Sequence, residues 1–257
     1  MPSVRVRGID LHFEEAGQGP AVIIAHGAFA SVATAATGLR VSDYAEGGFR
    51  AIAYDARGHG RSGYSNAPGD YRRDERMRDL IGLMDALGLQ QAHVIGTSMG
   101  ASTALMLALH HPARVRRLVL RSPPTQVRDP RVYRKLALLS ACYRWLGVAA
   151  TAWIAARVSN SATSPRLPRQ LAQLRRAAVL PMLQGLRAEG FYPEGLAGIT
   201  ARTLIIGQGQ DSSHPRAAAE FLHATLPDSR LMLAESKRHW EANRDEVRRL
   251  ILDFLNA

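Results

Sequence analysis

The stretch His93-Val94-Ile95-Gly96-Thr97-Ser98-Met99-Gly100-Ala101 joins a short β-rich run directly to a helical one. A strand that turns at once into a helix forces the residue at the apex into a strained conformation with positive φ. The residues two before and two after the apex must then lack a β-carbon, so that the strand and the helix can approach. Gly96 and Gly100 meet this requirement. The pattern therefore predicts that the Ser98 hydroxyl points out at the end of a sheet.

Strand-like and helical segments alternate on both sides of this stretch. Continuous apolar runs of strand length, typical of a parallel sheet buried on both faces, are followed by segments with helical spacing of apolar residues. An opening antiparallel hairpin is predicted over Val4–Arg7 and Leu11–Glu15. The further predicted strands are Ala21–Ala25, Phe49–Tyr54, Ala92–Ile95, Val115–Leu120, Thr203–Ile206 and Arg230–Leu233, and the main predicted helices are Asp74–Leu87, Ala101–His111, Pro215–Leu226 and Trp240–Leu255.

The alternation stops between residues 122 and 200. Strand-like runs vanish there, and helical apolar stretches replace them at Val132–Val158 and Leu171–Leu186. The sequence thus predicts an α/β fold with a mostly parallel central sheet flanked by helices, made of residues 1–121 and 201–257. Residues 122–200 are predicted to form a helical cap inserted into it.

Composition and charge exclude several classes of protein. The net charge is +11, but only Lys135 and Lys237 of the 33 basic residues are lysines, which indicates a coding bias toward arginine rather than a nucleic-acid site. The single cysteine, Cys142, excludes an internal disulfide framework. No His, Cys or carboxylate cluster has metal-ligand spacing, so neither a metal nor another cofactor is expected. The chain has no segment typical of a signal peptide or a membrane span, which makes the cytoplasm the expected location.

Five segments in order resemble the α/β-hydrolase superfamily, in its cap-bearing branch of esterases, lactonases, carbon–carbon bond hydrolases and cofactor-free haloperoxidases. They cover most of the chain outside the cap. They are His26-Gly27, Asp55-x-Arg57-Gly58-x-Gly60-x-Ser62, Gly96-x-Ser98-x-Gly100, Leu204-Ile205-Ile206-x-x-x-x-Asp211-x-x-x-Pro215, and His239 before the last helix.

The resemblance implies a Ser-His-Asp triad, with chain order serine, acid, histidine. A serine hydroxyl needs a neighbouring base to attack at neutral pH, and that base needs a carboxylate to orient it. Ser98 is then the nucleophile, and Asp211 is the acid, with Asp129 as an alternative. His239 is the predicted base and His214 the second candidate. Arg238 replaces the glycine usual before the catalytic histidine.

The resemblance also implies an oxyanion hole made of the backbone N–H groups of Ala28 and Met99. Asp55 is expected to hold the turn that follows it rather than to join the triad. An apolar and aromatic set suits the covering of a hydrophobic substrate. Its members are Phe29, Tyr133, Leu136, Tyr143, Trp145 and Trp153.

The function predicted from these residues is cleavage of a small hydrophobic carboxylic ester or lactone through an acyl-enzyme. Three alternatives remain open. The same triad would serve a carbon–carbon bond hydrolase of a vinylogous diketone. The arginine-rich cap would suit an esterase acting on an acyl group linked to coenzyme A or to an acidic carrier protein. A ligand-binding member of the fold without turnover is the third, since fold alone does not prove activity.

Overall fold

The computed structural model of the chain describes residues 2–34, 40–124, 134, 137–138, 140–147, 174–189, 193–211 and 214–257. Within these ranges eight strands form one sheet. The strands are β1 (Ser3–Val6), β2 (Ile9–Ala16), β3 (Ala21–Ala25), β4 (Arg50–Tyr54), β5 (Ala92–Thr97), β6 (Val115–Arg121), β7 (Arg202–Gln208) and β8 (Ser229–Ala234).

The sheet is mostly parallel, with spatial order β1-β2-β4-β3-β5-β6-β7-β8. The β1–β2 hairpin pairs antiparallel to β4, and every pairing from β4 to β8 is parallel. The strand β5 therefore lies between β3 and β6, and the carboxyl ends of all three meet at one edge. This α/β architecture confirms the predicted fold.

Helices cover both faces of the sheet. They are α1 (Val41–Ala45), α2 (Arg73–Ala86), α3 (Met99–His110), α4 (Arg176–Ala188), α5 (Arg216–Thr225), α6 (Lys237–Ala242) and α7 (Arg244–Asn256). Apolar side chains of α2, α3 and α5 form one core layer with the sheet. Those of α1 and α7 form the layer on the other face. Successive side chains of a strand point to opposite faces of the sheet. On β5, Val94 therefore packs in the first core layer and Ile95 in the second.

The predicted final helix is divided in the structure. A single helix was expected over Trp240–Leu255, but α6 ends at Ala242 and α7 begins at Arg244. Asn243 separates them with φ −109° and ψ 51°, which lies outside the helical region. His239, expected in a loop, consequently lies within the short helix α6.

The described residues between 122 and 200 contain helices and no strand. Besides α4, residues 140–147 are helical. A cluster in this region contains Leu174, Val179 and Met182, and Tyr71 of the main domain packs with it. The boundaries 122 and 200 of a separate cap stay a prediction. No helix among the described residues is both long and apolar enough to cross a membrane.

Candidate active site

The turn at Ser98 has the strained geometry that its sequence predicts. Ser98 has φ 52° and ψ −111°, and α3 begins at the next residue. A β-carbon at Gly96 would lie 2.4 Å from the carbonyl oxygen of Gly100. One at Gly100 would lie 2.1 Å from the carbonyl oxygen of Ala25 on β3. Both glycines are therefore required by contacts between backbones, and together they hold Ser98 at the carboxyl edge of the sheet.

The side chain of His214 is hydrogen-bonded to that of Ser98. Its Nε2 lies 2.8 Å from Ser98 Oγ, and its Nδ1 lies 3.0 Å from Asp211 Oδ2. A carboxylate only accepts, so Nδ1 carries the proton and Nε2 is left to accept from the serine hydroxyl. The geometry is the relay in which an imidazole can withdraw a proton from a serine while a carboxylate orients it.

Two hydrogen bonds join Asp211 to His214. The backbone N–H of His214 donates to Asp211 Oδ1 at 3.1 Å, so the carboxylate binds both the backbone and the ring of the residue three positions later. The side chain of Asp211 is 3% exposed and that of His214 21% exposed. The carboxylate is thus shielded, while the imidazole retains an open side from which water or substrate can approach.

The structure does not bring His239 to Ser98. The side chain of His239 is 44% exposed, and its Nε2 lies 3.9 Å from Glu246 Oε2. Its ring also packs edge-on against Trp240. The physical reason is local: the residues after β8 form the helix α6 instead of a loop folded back over the sheet. His214 was expected on a solvent-facing loop, and the described geometry places its ring within hydrogen-bond distance of Ser98 instead.

The loop after β3 lies against the serine turn. A β-carbon at Gly27 would lie 3.5 Å from Ser98 Cβ and 3.4 Å from the carbonyl oxygen of Thr97. Phe29 has φ 66°, a conformation uncommon for a residue with a side chain. Gly27 thus lies against the serine turn, and Ala28 follows it in the loop; the oxyanion hole of Ala28 and Met99 stays a prediction.

Two buried histidines, His26 and His59, lie beside this loop with their rings in contact. His26 Nε2 accepts from the backbone N–H of Ala56 at 3.0 Å, and its Nδ1 donates to the carbonyl oxygen of Gly27 at 2.8 Å. Burial lowers the pKa of His26 and lowers that of the adjacent His59 to about 3. Both rings are consequently neutral at physiological pH; His26 both donates and accepts, and His59 donates from Nδ1 to the carbonyl oxygen of Arg57 at 2.9 Å.

Asp55 holds two loops together, as expected, and is not part of the relay. Its Oδ1 accepts from the backbone N–H of Val32 at 2.7 Å, and its Oδ2 accepts from that of Arg61 at 2.9 Å. A β-carbon at Gly60 would lie 2.2 Å from Oδ2, so the turn can close around the carboxylate only with glycine there. Asp55 thereby links the loop after β3 to the loop after β4.

The predicted pocket residues have different outcomes. Phe29 and Tyr143 pack against the buried cluster that contains Leu174 and Met182. Trp145 is 78% exposed, so it is not a pocket wall in this structure. Tyr133, Leu136 and Trp153 lie outside the described residues, as does the alternative acid Asp129.

Two features of the site were not foreseen from the sequence. Gln208, only 2% exposed, donates from Nε2 to Asp211 Oδ2 at 2.9 Å. Arg76 on α2 is 3% exposed, donates to Thr103 Oγ1 at 3.1 Å, and forms an ion pair with Glu189 just after α4. A signal existed for Gln208, which ends an apolar strand, whereas Arg76 lies among other charged residues and offered none.

The sheet, the crossing order of its strands and the serine at a strand-to-helix turn define the class of an α/β-fold hydrolase. Two family models match the chain, an α/β hydrolase fold model over residues 20–138 and a putative esterase model over residues 82–245. The chain therefore belongs to the α/β-hydrolase superfamily.

Its relatives include proteins named 2-hydroxy-6-oxo-6-phenylhexa-2,4-dienoate hydrolases. The chain is 28% identical to that of Burkholderia cepacia over 95% of its length and 91% of the relative. It is 35% identical to that of Comamonas testosteroni, but over 44% of this chain and 40% of the relative's length. The enol-lactonase of Burkholderia xenovorans has a TM-score of 0.84 at 24% identity, with both chains covered fully, which shows the shared fold.

Proposed function

We propose that this hydrolase cleaves a carboxylic ester or lactone through an acyl-enzyme formed on Ser98. The observation that carries the proposal is the unbroken series of hydrogen bonds from Ser98 Oγ through both nitrogens of His214 to Asp211. Each member is held by a different constraint: the serine by backbone sterics, the imidazole by its two partners and the carboxylate by buried donors.

The reaction follows from this geometry. As Ser98 Oγ attacks the carbonyl carbon, His214 Nε2 takes the hydroxyl proton, and the imidazolium is stabilised by Asp211. The N–H groups of Ala28 and Met99 bind the oxyanion. Collapse of the tetrahedral intermediate passes the proton to the leaving alkoxide oxygen and leaves an ester on Ser98. A water molecule, deprotonated by the same imidazole, then attacks this ester; the bond between Ser98 Oγ and the acyl carbon breaks, the imidazolium returns its proton to Oγ, and the carboxylic acid leaves.

His239 was predicted as the base, and that assignment now competes with His214. We assign the base to His214, because a base must be within hydrogen-bond reach of the proton it removes. His214 Nε2 lies 2.8 Å from Ser98 Oγ. His239 stays a prediction from chain order. The two assignments leave the roles of Ser98 and Asp211 unchanged.

The surroundings favour a substrate with an apolar acyl group. Phe29, next to the proposed oxyanion donor Ala28, packs against the buried cluster that contains Leu174, Met182 and Leu183. Apolar walls with few polar groups are typical of sites that bury a hydrophobic ligand.

Carbon–carbon bond cleavage is the second candidate, and the names of the relatives favour it. The Burkholderia cepacia relative matches nearly the whole chain and is named a 2-hydroxy-6-oxo-6-phenylhexa-2,4-dienoate hydrolase. The bland segment Ala28-Phe29-Ala30 offers no further polar side chain beside the oxyanion loop, which favours the ester. Turnover of a short p-nitrophenyl ester, compared with turnover of a ring-fission diketone, separates the two.

A fluorophosphonate probe tests the shared chemistry. We expect stoichiometric labelling of the native chain and none of Ser98→Ala, because the probe phosphonylates only an activated serine. Equal labelling of both chains would refute the proposal. Labelling without steady-state hydrolysis across an ester and diketone panel would identify a binding protein with a vestigial site.

A further inference from the structure

The side chain of Gln208 has no part in the reaction as written, yet it is buried against the triad. It is the last residue of β7 and is 2% exposed. Its Nε2 lies 2.9 Å from Asp211 Oδ2, and its Oε1 lies 3.1 Å from Ser122 Oγ. Burying a polar side chain is costly unless it is hydrogen-bonded, and both ends of this amide are hydrogen-bonded.

The orientation of the amide follows from its partners. A carboxylate has no proton to donate, so the end of Gln208 that faces Asp211 must be the NH₂ group. The carbonyl end then faces Ser122, whose hydroxyl is the donor. The two hydrogen bonds therefore run in the same direction: Ser122 donates to Gln208, and Gln208 donates to Asp211.

Ser122, the first donor of this series, is hydrogen-bonded to the sheet through its backbone. Ser122 follows β6 with φ 44°, and its backbone N–H donates to the carbonyl oxygen of Ile206 on β7 at 2.8 Å. This bond extends the β6–β7 pairing by one residue beyond Arg121. Ser122 is therefore fixed by backbone contacts, whereas Asp211 lies on a loop.

We propose that Gln208 is a positioning residue that fixes the carboxylate of Asp211, and that Ser122 fixes Gln208. Oδ1 of Asp211 accepts from the backbone of His214 at 3.1 Å, and Oδ2 accepts from Gln208 and from the imidazole. With donors on both oxygens, rotation of the carboxylate is blocked, and Oδ2 stays aimed at the ring. This role rests on the proposed function of the site, but not on which substrate it takes.

The test uses the full chain with Gln208→Met, which keeps the side-chain length and removes both hydrogen-bonding ends. Gln90→Met is the matched control, since Gln90 is exposed. We expect kcat to fall about tenfold with KM unchanged, the size of losing one hydrogen bond to a charged group. Ser122→Ala should act in the same direction by about threefold, because it removes only the neutral bond behind the amide.

Two readouts separate positioning from general loss of structure. Titration with the fluorophosphonate should still label every site of Gln208→Met, at a lower rate. In proton NMR, the low-field signal of the imidazole proton between His214 and Asp211 should shift or broaden in Gln208→Met and stay in place in Gln90→Met. A reduced number of labelled sites at unchanged rate would instead indicate partial unfolding and overturn the role.

Failure of this role and failure of the proposed function look different. If native protein is not labelled, the function is refuted, and the NMR signal alone decides whether Gln208 fixes the carboxylate. If native protein is labelled and Gln208→Met matches it in kcat and in the NMR signal, the positioning role is refuted while the function stands.

Discussion

The turn at Ser98 and the loop with Asp211 and His214 lie together at one edge of the sheet, but they are held in different ways. The turn is fixed by backbone atoms, since Gly96 and Gly100 leave no room for a β-carbon. The loop is fixed by side-chain hydrogen bonds from Gln208 and within the loop itself. Changes at the turn should therefore affect folding, and changes at the loop should affect chemistry.

The largest expected effect is on catalysis and comes from the loop. His214→Gln removes the proposed base, and we expect kcat/KM to fall by about 10⁴- to 10⁶-fold, as for loss of a triad histidine elsewhere. The exposed His239, changed to Gln, should alter kcat/KM by about twofold or less, as is usual for surface positions. Steady-state kinetics on one ester measures both. The opposite ranking would assign the base to His239.

The next effect is on folding and comes from the turn. Gly100→Ala places a β-carbon 2.1 Å from a carbonyl oxygen of β3, and neither backbone can move aside. We expect a loss of more than about 4 kcal/mol in the free energy of unfolding, which is exceptional for one added methyl group. Urea denaturation measures it. Gly69→Ala, where no atom lies within 4 Å of the added carbon, serves as control and should cost little.

A third prediction concerns the support of the turn through α3. Glu189→Ala leaves the buried guanidinium of Arg76 without its carboxylate, which should cost about 3 kcal/mol. Because Arg76 also donates to Thr103, and Thr103 to the carbonyl oxygen of Met99, kcat should fall as well. Glu194→Ala changes an exposed glutamate nearby and should leave the thermal midpoint in place. Equal midpoints for the two variants would contradict this account.

The smallest effect is on pH dependence. The pKa of buried His59 is lowered to about 3, whereas an unfolded histidine titrates near 6.5. Below pH 6.5 the unfolded chain binds a proton that the folded chain excludes, so stability is fully present above that pH and falls as the pH decreases. His59→Asn, which retains a donor, should reduce the slope between pH 6 and 4 by about 1.4 kcal/mol per pH unit. Exposed His110→Gln should leave the slope unchanged, and urea titrations at several pH values measure all three chains.

The sequence predicts the sheet well because burial imposes a pattern on it. The expected run Phe49–Tyr54 corresponds to β4 over Arg50–Tyr54, and the expected helix Ala101–His111 corresponds to α3 over Met99–His110. Position and conformation of Ser98 were equally predictable, since only glycine satisfies the sterics on either side. These features depend on neighbours close in the chain or on strict periodicity.

The choice between histidines was not predictable in the same way. Both His214 and His239 follow strands of the sheet, so both are brought to the same edge. Which of them contacts Ser98 depends on whether residues 237–242 form a loop or a helix, and no local signal for the helix α6 was recognised. The contacts of Gln208 were not predicted for a related reason. Its partner Asp211 is near in sequence, but its other partner, Ser122, is 86 residues away.

The ion pair of Arg76 with Glu189 also sets an order for making the protein. The two residues are separated by 113 positions, and the ribosome releases α2 long before it releases α4. During synthesis the guanidinium of Arg76 has no carboxylate to meet it, and desolvating an uncompensated charge is unfavourable. We therefore expect the packing of Arg76 between α2 and α3 to be completed only after residue 189 has emerged. Until then the helix that follows Ser98 lacks part of its support, and we expect an interval of aggregation risk that chaperones are suited to cover.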